Sequence, residues 1–225
     1  MTNAASSAHP GAPAAAPDEW FELVDQALLG LDHALNNRLG ALRAFAELLR
    51  DEQWRSTPAA TDSVQKEVAR LEETTSIVRL LARPRQAAAS GLIVEEVMSD
   101  VVRIQAMLHD VRDVPIEFVP GPPLEPAWAE RSALIRLLSL VLYALRRDAG
   151  AGESDHGLRV TTESDDDWVR IRFKLSGGVR PAVGGSAASL AESIGVAWRE
   201  TNGVLELRLP TLKAHRAARR AGEAR

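Results

Sequence analysis

Between Asp18 and Gln53 the apolar residues Leu28, Leu31, Leu35, Leu42 and Leu49 recur at steps of three, four and seven, with Leu39 and Phe45 on the flank. That recurrence is the seam of a long amphipathic helix. The stretch WRSTPAAT breaks it, because proline and small polar residues cannot continue the pattern. A second seam runs through Val64, Val68, Leu71, Thr75, Val78 and Ala82 and stops near Pro84. Two long helices with a short connection make an antiparallel hairpin, over residues 18–86. A lone hairpin has too little partner surface for both seams, so two copies are expected to pair into a four-helix bundle, and the chain is expected to be a homodimer.

The rest of the chain has a different texture. Residues 1–17, MTNAASSAHPGAPAAAP, hold nothing to pack and read as a disordered leader. After the small-residue linker QAAASG, residues 91–211 mix helical and alternating patterns. LIVEEVMSDVVRIQAMLHDV reads as a helix, PIEFVP as a short strand and AERSALIRLLSLVLYALRRDA as a strongly apolar helix. LRVTTES and WVRIRFKL alternate around an acidic turn, which predicts a hairpin with Val169, Ile171, Phe173 and Leu175 inward. The stripe Arg170, Arg172 and Lys174 then points outward as a solvated face. SAASLAESIGVAWRE reads as a last helix, NG as a turn and VLELRLP as a closing strand. The fold class expected is α+β: the helical hairpin, then an α/β sandwich with an open mixed sheet and helices on one side. Residues 212–225 read as a basic, solvated tail.

Composition excludes several functions. The chain has 225 residues, 45% hydrophobic and 26% charged, enough for a real core. A net charge of -4 supplies no basic field for nucleic acid or anionic membrane. No run approaches the apolar length of a membrane span. There are no cysteines, which removes disulfides, thiol catalysis and cysteine zinc sites. A cytoplasmic protein with neither nucleic acid nor membrane as partner is expected.

His33 is the residue that the first seam does not explain. At roughly 100° per residue it lies far from the seam leucines and faces water, with Asn37 and Gly40 close to it on the same stripe and Ala44 above. Leu29, one turn earlier, is on the same outward stripe, where an apolar side chain serves a docking partner. A helix-interior glycine costs about 1 kcal/mol relative to alanine, so Gly40 predicts close approach by another backbone. Asn36, Arg38 and Arg43 flank the stripe.

HALNNRL resembles the H-box of the dimerisation and histidine-phosphotransfer helix of bacterial sensor histidine kinases. In that family an outward histidine carries a phosphoryl group, and the fourth residue after it is often Thr or Asn, which is Asn37 here. The resemblance therefore implies His33 as phosphoacceptor and Asn37 as the residue that orients it. An imidazole suits this work, since it is nucleophilic when neutral and passes a phosphoryl group on to a carboxylate. The acidic residue that usually follows the histidine and acts as base toward ATP is Ala34 here.

The second half matches the family in shape more than in chemistry. LSLVLYAL lines up with the N-box helix, with Ser139 and Tyr143 where two asparagines would bind magnesium and ATP phosphates. SGGVRP stands where an Asp-x-Gly-x-Gly loop would read adenine, and only AVGGSAAS precedes the last helix in place of an ATP lid. ATP binding and a metal or cofactor of the chain's own are not expected. An intact phosphoacceptor helix with a lost ATP site resembles the dimeric histidine phosphotransferases of phosphorelays. The partners implied are response-regulator receiver domains, which bring their own magnesium, and an upstream hybrid histidine kinase; Leu29, Asn36, Arg38, Gly40 and Ala44 would meet the receiver. The alternatives are a non-catalytic pseudokinase scaffold, a receiver phosphatase that uses Asn37 to orient water, and a divergent ATP-dependent kinase. His109 with Asp110 or Asp113 is the only local cluster suggesting a metal, and the solvated end of a helix is its simpler role.

Overall fold

The computed structural model describes residues 19–55, 57–82, 88–111, 113–150, 157–176 and 185–223. The leader falls outside them, as do most of SGGVRP and Gly184. Helix α1 (Glu19–Leu48) and helix α3 (Pro58–Leu81) form the hairpin, with a single turn, α2 (Glu52–Arg55), between them. Glu19 and Glu22 complement the positive end of α1, and Pro58 occupies the first turn of α3, where its missing N–H costs nothing. Phe45 stacks on Trp54 to close the connection.

A five-stranded sheet follows, with strands β2 (Ile116–Val119), β4 (Leu158–Ser164), β5 (Trp168–Leu175), β6 (Ala197–Thr201) and β7 (Val204–Pro210) in the order β2-β4-β5-β7-β6. Among the described strands only the β2–β4 pair is parallel. Short strands β1 (Ser90–Leu92) and β3 (Ala127–Ala129) pair separately. Helices α4 (Val94–Gln105) and α5 (Arg131–Gly150), with α6 (Gly185–Ser193), are the helical partners of the sheet. Register sets Val160 opposite Phe173, Phe173 opposite Leu205 and Ile171 opposite Leu207, so one sheet face is mainly apolar and joins the core.

The opposite face carries a lattice of arginines and carboxylates rather than loosely solvated charges. Glu206 is 5% exposed and meets Arg172, Arg199 and Arg208. Burial alone would push its carboxyl up, yet hydrogen bonds from Arg172 and Arg208 hold it below the usual carboxylate range. Arg170 and Arg172 share Glu163.

Several elements depart from the sequence expectation. The last helix stops at Ser193 and Gly195 takes a left-handed turn, so Ala197–Thr201 is a strand paired with β7 across Asn202 and Gly203. Helix α4 ends at Gln105 instead of running through His109, which stands in the loop beyond it. The basic tail is a capped helix, α7 (Leu212–Glu223): the Ala214 amide donates to the Thr211 hydroxyl, and His215 stacks on Trp128. Among the described residues no helix is long and apolar enough to cross a membrane.

The hairpin seams also have a different use. Leu28, Leu39, Val68 and Val78 are exposed. A second stripe, Trp20, Leu23, Ala27, Gly30 and Leu31 on α1 with Ile77 and Leu81 on α3, is buried. Its apolar members belong to the same core cluster as α4, α5 and the sheet. The root of the hairpin is therefore packed onto the α/β part as one core, with Arg136 over the Trp20 ring and Arg147 beside Glu22 at its edge.

Candidate functional site

Thirty residues of continuous helix give α1 a face that neither α3 nor the core touches, and His33 stands on it, exposed. Leu29, Asn36, Asn37, Gly40 and Ala44 are exposed with it, Leu29 at 64%. The Asn37 side-chain nitrogen lies 3.1 Å from His33 Nε2, one helical turn away. An amide nitrogen only donates, so Nε2 accepts and the proton of the neutral ring belongs on Nδ1. The nitrogen that carries the ring's lone pair is thus the one that Asn37 holds, and the Asn37 N–H occupies that lone pair in this structure. Asn36 donates to Asp32 and so is occupied within its own helix.

Two of the residues assigned to this surface behave otherwise. Arg38 turns to the far side of α1, where its guanidinium lies 3.3 Å from the buried carboxylate of Glu67 on α3. It ties the hairpin together and is not on the His33 stripe. Gly40 meets no close backbone within this chain, since a Cβ built there finds nothing within 4 Å.

The close approach is instead at Gly30, which the sequence reading passed over. A Cβ on Gly30 would fall 1.9 Å from the Met107 carbonyl oxygen. Only glycine lets the loop after α4 lie directly on α1 at this height. That loop carries His109, whose ring centre is 5.8 Å from that of His33, at 81°. The signal was available, because a glycine inside a helix one turn before the key histidine raises the same question as Gly40.

The surface of α5 that bears Ser139 and Tyr143 is covered. Ser139 is fully buried, and its hydroxyl finds no partner among the described residues. The Tyr143 hydroxyl sits 3.1 Å from both the Glu22 and the Asp110 carboxylates. Burial first, and then Asp110, push its phenol well above the usual range, so it remains a hydrogen-bond donor to them. Helix α1 and the His109 loop thus fill the space in front of this helix. Among the described residues no group of three or more histidines and carboxylates is placed to hold a metal ion.

No family model matches the chain, and no curated protein does. Solved structures with some likeness include the histidine kinase domain of a blue-light activated histidine kinase from Erythrobacter litoralis, at 11% identity and a TM-score of 0.42 over 88% of this chain and 96% of that one. The ATP binding domain of PrrB from Mycobacterium tuberculosis aligns at 15% identity and 0.43, over 56% of this chain and 98% of the other. A bacterial phosphotransferase aligns at 16% identity and 0.39, over 89% and 98%.

Proposed function

We propose that this protein is a histidine phosphotransferase that passes a phosphoryl group between receiver aspartates through a phosphohistidine at His33. The observation that carries the reading is the exposed imidazole whose Nε2 is addressed by Asn37, on a stripe open to an approaching protein. In the forward step the Asn37 N–H moves off Nε2 and the lone pair so freed attacks phosphorus. The phosphorus–oxygen bond to the receiver aspartate breaks, and the carboxylate leaves with the electron pair. Nδ1 keeps its proton, so the product is a phosphoimidazolium, and a second receiver carboxylate reverses the step. The receiver brings the divalent cation that screens the phosphoryl oxygens.

ATP is not the donor in this reading. The α5 positions that would face nucleotide in a kinase are Ser139 and Tyr143, and Tyr143 is spent on Glu22 and Asp110. A homodimer is part of the proposal: Phe21, Leu28 and Leu39 on α1 and Val68 and Val78 on α3 are exposed apolar residues on the hairpin, where a second copy would bury them. Light scattering is expected to give twice the chain mass, and Leu28→Glu with Leu39→Glu to return it to the mass of one chain.

The deciding experiment offers the chain two donors. Candidate receiver domains encoded in the same genome, each phosphorylated on its aspartate, are mixed with the protein in parallel with radiolabelled ATP. Acid-labile, alkali-stable label is expected from at least one receiver and none from ATP. Label from ATP alone would make the protein a kinase, and no label from any receiver would favour the scaffold reading.

A further inference from the structure

We propose that His109 is a working part of the phosphotransfer surface: protonated, it places a positive charge against the phosphoryl group as that group joins or leaves His33. The inference rests on His33 being the phosphoacceptor. The loop between α4 and β2 is held in place from three directions. Leu108, Val111 and Val114 are buried in the core. Buried Arg146 donates to the carbonyls of Gln105 and Val114 at the two ends of the loop. Met107 is seated on Gly30. His109, between these anchors, is exposed and is set edge-on to the His33 ring. A loop pinned this way presents its side chain at a fixed distance, the requirement for electrostatic assistance that costs no reorganisation during reaction.

The phosphoryl oxygens on His33 carry about two negative charges, offset in part by the single positive charge of the phosphoimidazolium ring. Arg38 is turned to Glu67 and Arg147 to Glu22. His109 is therefore the group in ring contact with His33 that can carry positive charge. The Asn37 bond to His33 requires a free lone pair on Nε2. His109 lies beside Asp110 in the chain, and Asp110 is joined through the Tyr143 hydroxyl to Glu22. Among the described residues the titratable and charged groups around the loop are Glu22, Asp32 and His33 from α1, Tyr143, Arg146 and Arg147 from α5, and Asp110 and Asp113 from the loop itself, while Arg103 of α4 is turned to Glu73 of α3.

The test compares label transfer from a phosphorylated receiver to wild type, His109→Gln and His109→Arg across pH. Each rate is taken as a ratio to wild type at the same pH. His109→Gln is expected to be about tenfold slower than wild type near pH 6, with the gap closing toward pH 8.5 as the wild-type imidazole loses its charge. His109→Arg is expected to hold the low-pH rate at every pH. Gly30→Val, which lifts the loop without changing either histidine, is expected to slow transfer as His109→Gln does. A constant ratio for His109→Gln at all pH values would make its role merely structural and overturn the proposal. Equal or faster transfer by His109→Gln would overturn it too, and the faster rate would make the loop a cover. If wild type takes no label from any receiver, it is the reading of His33 that falls; label on wild type with an unaffected His109→Gln removes only this inference.

Discussion

His33→Gln is expected to leave the fold and the dimer unchanged and to abolish acquisition of label from every receiver, a loss of at least about a thousandfold. Residue 33 is exposed and among the described residues meets Asn37 and His109, so glutamine there should move stability by no more than about 0.5 kcal/mol. The two effects separate cleanly, and circular dichroism with a label assay reads both. Asn37→Ala removes the amide that addresses Nε2 but leaves the nucleophile, so transfer is expected to slow by about tenfold rather than stop. The contrast discriminates among functions. A phosphatase that relied on Asn37 to orient water would lose receiver dephosphorylation in Asn37→Ala and retain it in His33→Gln. A scaffold would show neither loss. Label that persists on His33→Gln would point to a different acceptor, with His109 the first to examine.

Local pattern made much of this architecture legible, and the limits follow from physical causes. The β4–β5 hairpin could be read because Val169, Ile171, Phe173 and Leu175 alternate strictly, and all four are buried. The hairpin helices could be read because each carries a heptad-like stripe and Pro58 marks the start of the second. The use of those stripes could not, because α1 has two apolar faces and sequence does not say which meets α3, the core or a second chain. Leu31 alone of the stripe leucines is buried, and Trp20, Leu23 and Ala27 lie on the other stripe, which meets the α/β core. His109 was placed on a helix because AMLHD continues the composition of α4 and contains no breaker. What ends α4 at Gln105 is tertiary: Gln105 and Val114 are gripped by Arg146, 41 and 32 residues further along the chain. The Arg38–Glu67 pair likewise spans 29 residues and gives no local signal.

Arg146 is the residue on which that arrangement most depends, and Arg146→Ala is expected to cost about 3–5 kcal/mol. Its guanidinium is buried, and burial depresses its pKa against an opposing pull from Asp110. It donates to the Val114 carbonyl at 2.9 Å and to the Gln105 carbonyl and side-chain oxygen at 3.0 and 3.2 Å. Alanine would leave three buried acceptors without that donor and open a cavity beside them. The Gln105 side chain also reaches the Ser139 carbonyl, so the loss spreads along α5. Thermal unfolding is expected to shift down by about 10 °C for a chain of this size. Arg146→Met refills much of the volume but restores no hydrogen bond. It should recover about half of the loss, because the stranded carbonyls carry the larger share. At temperatures where the variants remain folded, both should transfer phosphoryl groups more slowly, since the loop released at Gln105 and Val114 is the one that holds His109 against His33. A variant that kept its melting temperature would mean that Leu108, Val111 and Val114 fix the loop without help. One that lost stability but transferred at the wild-type rate would detach loop position from chemistry.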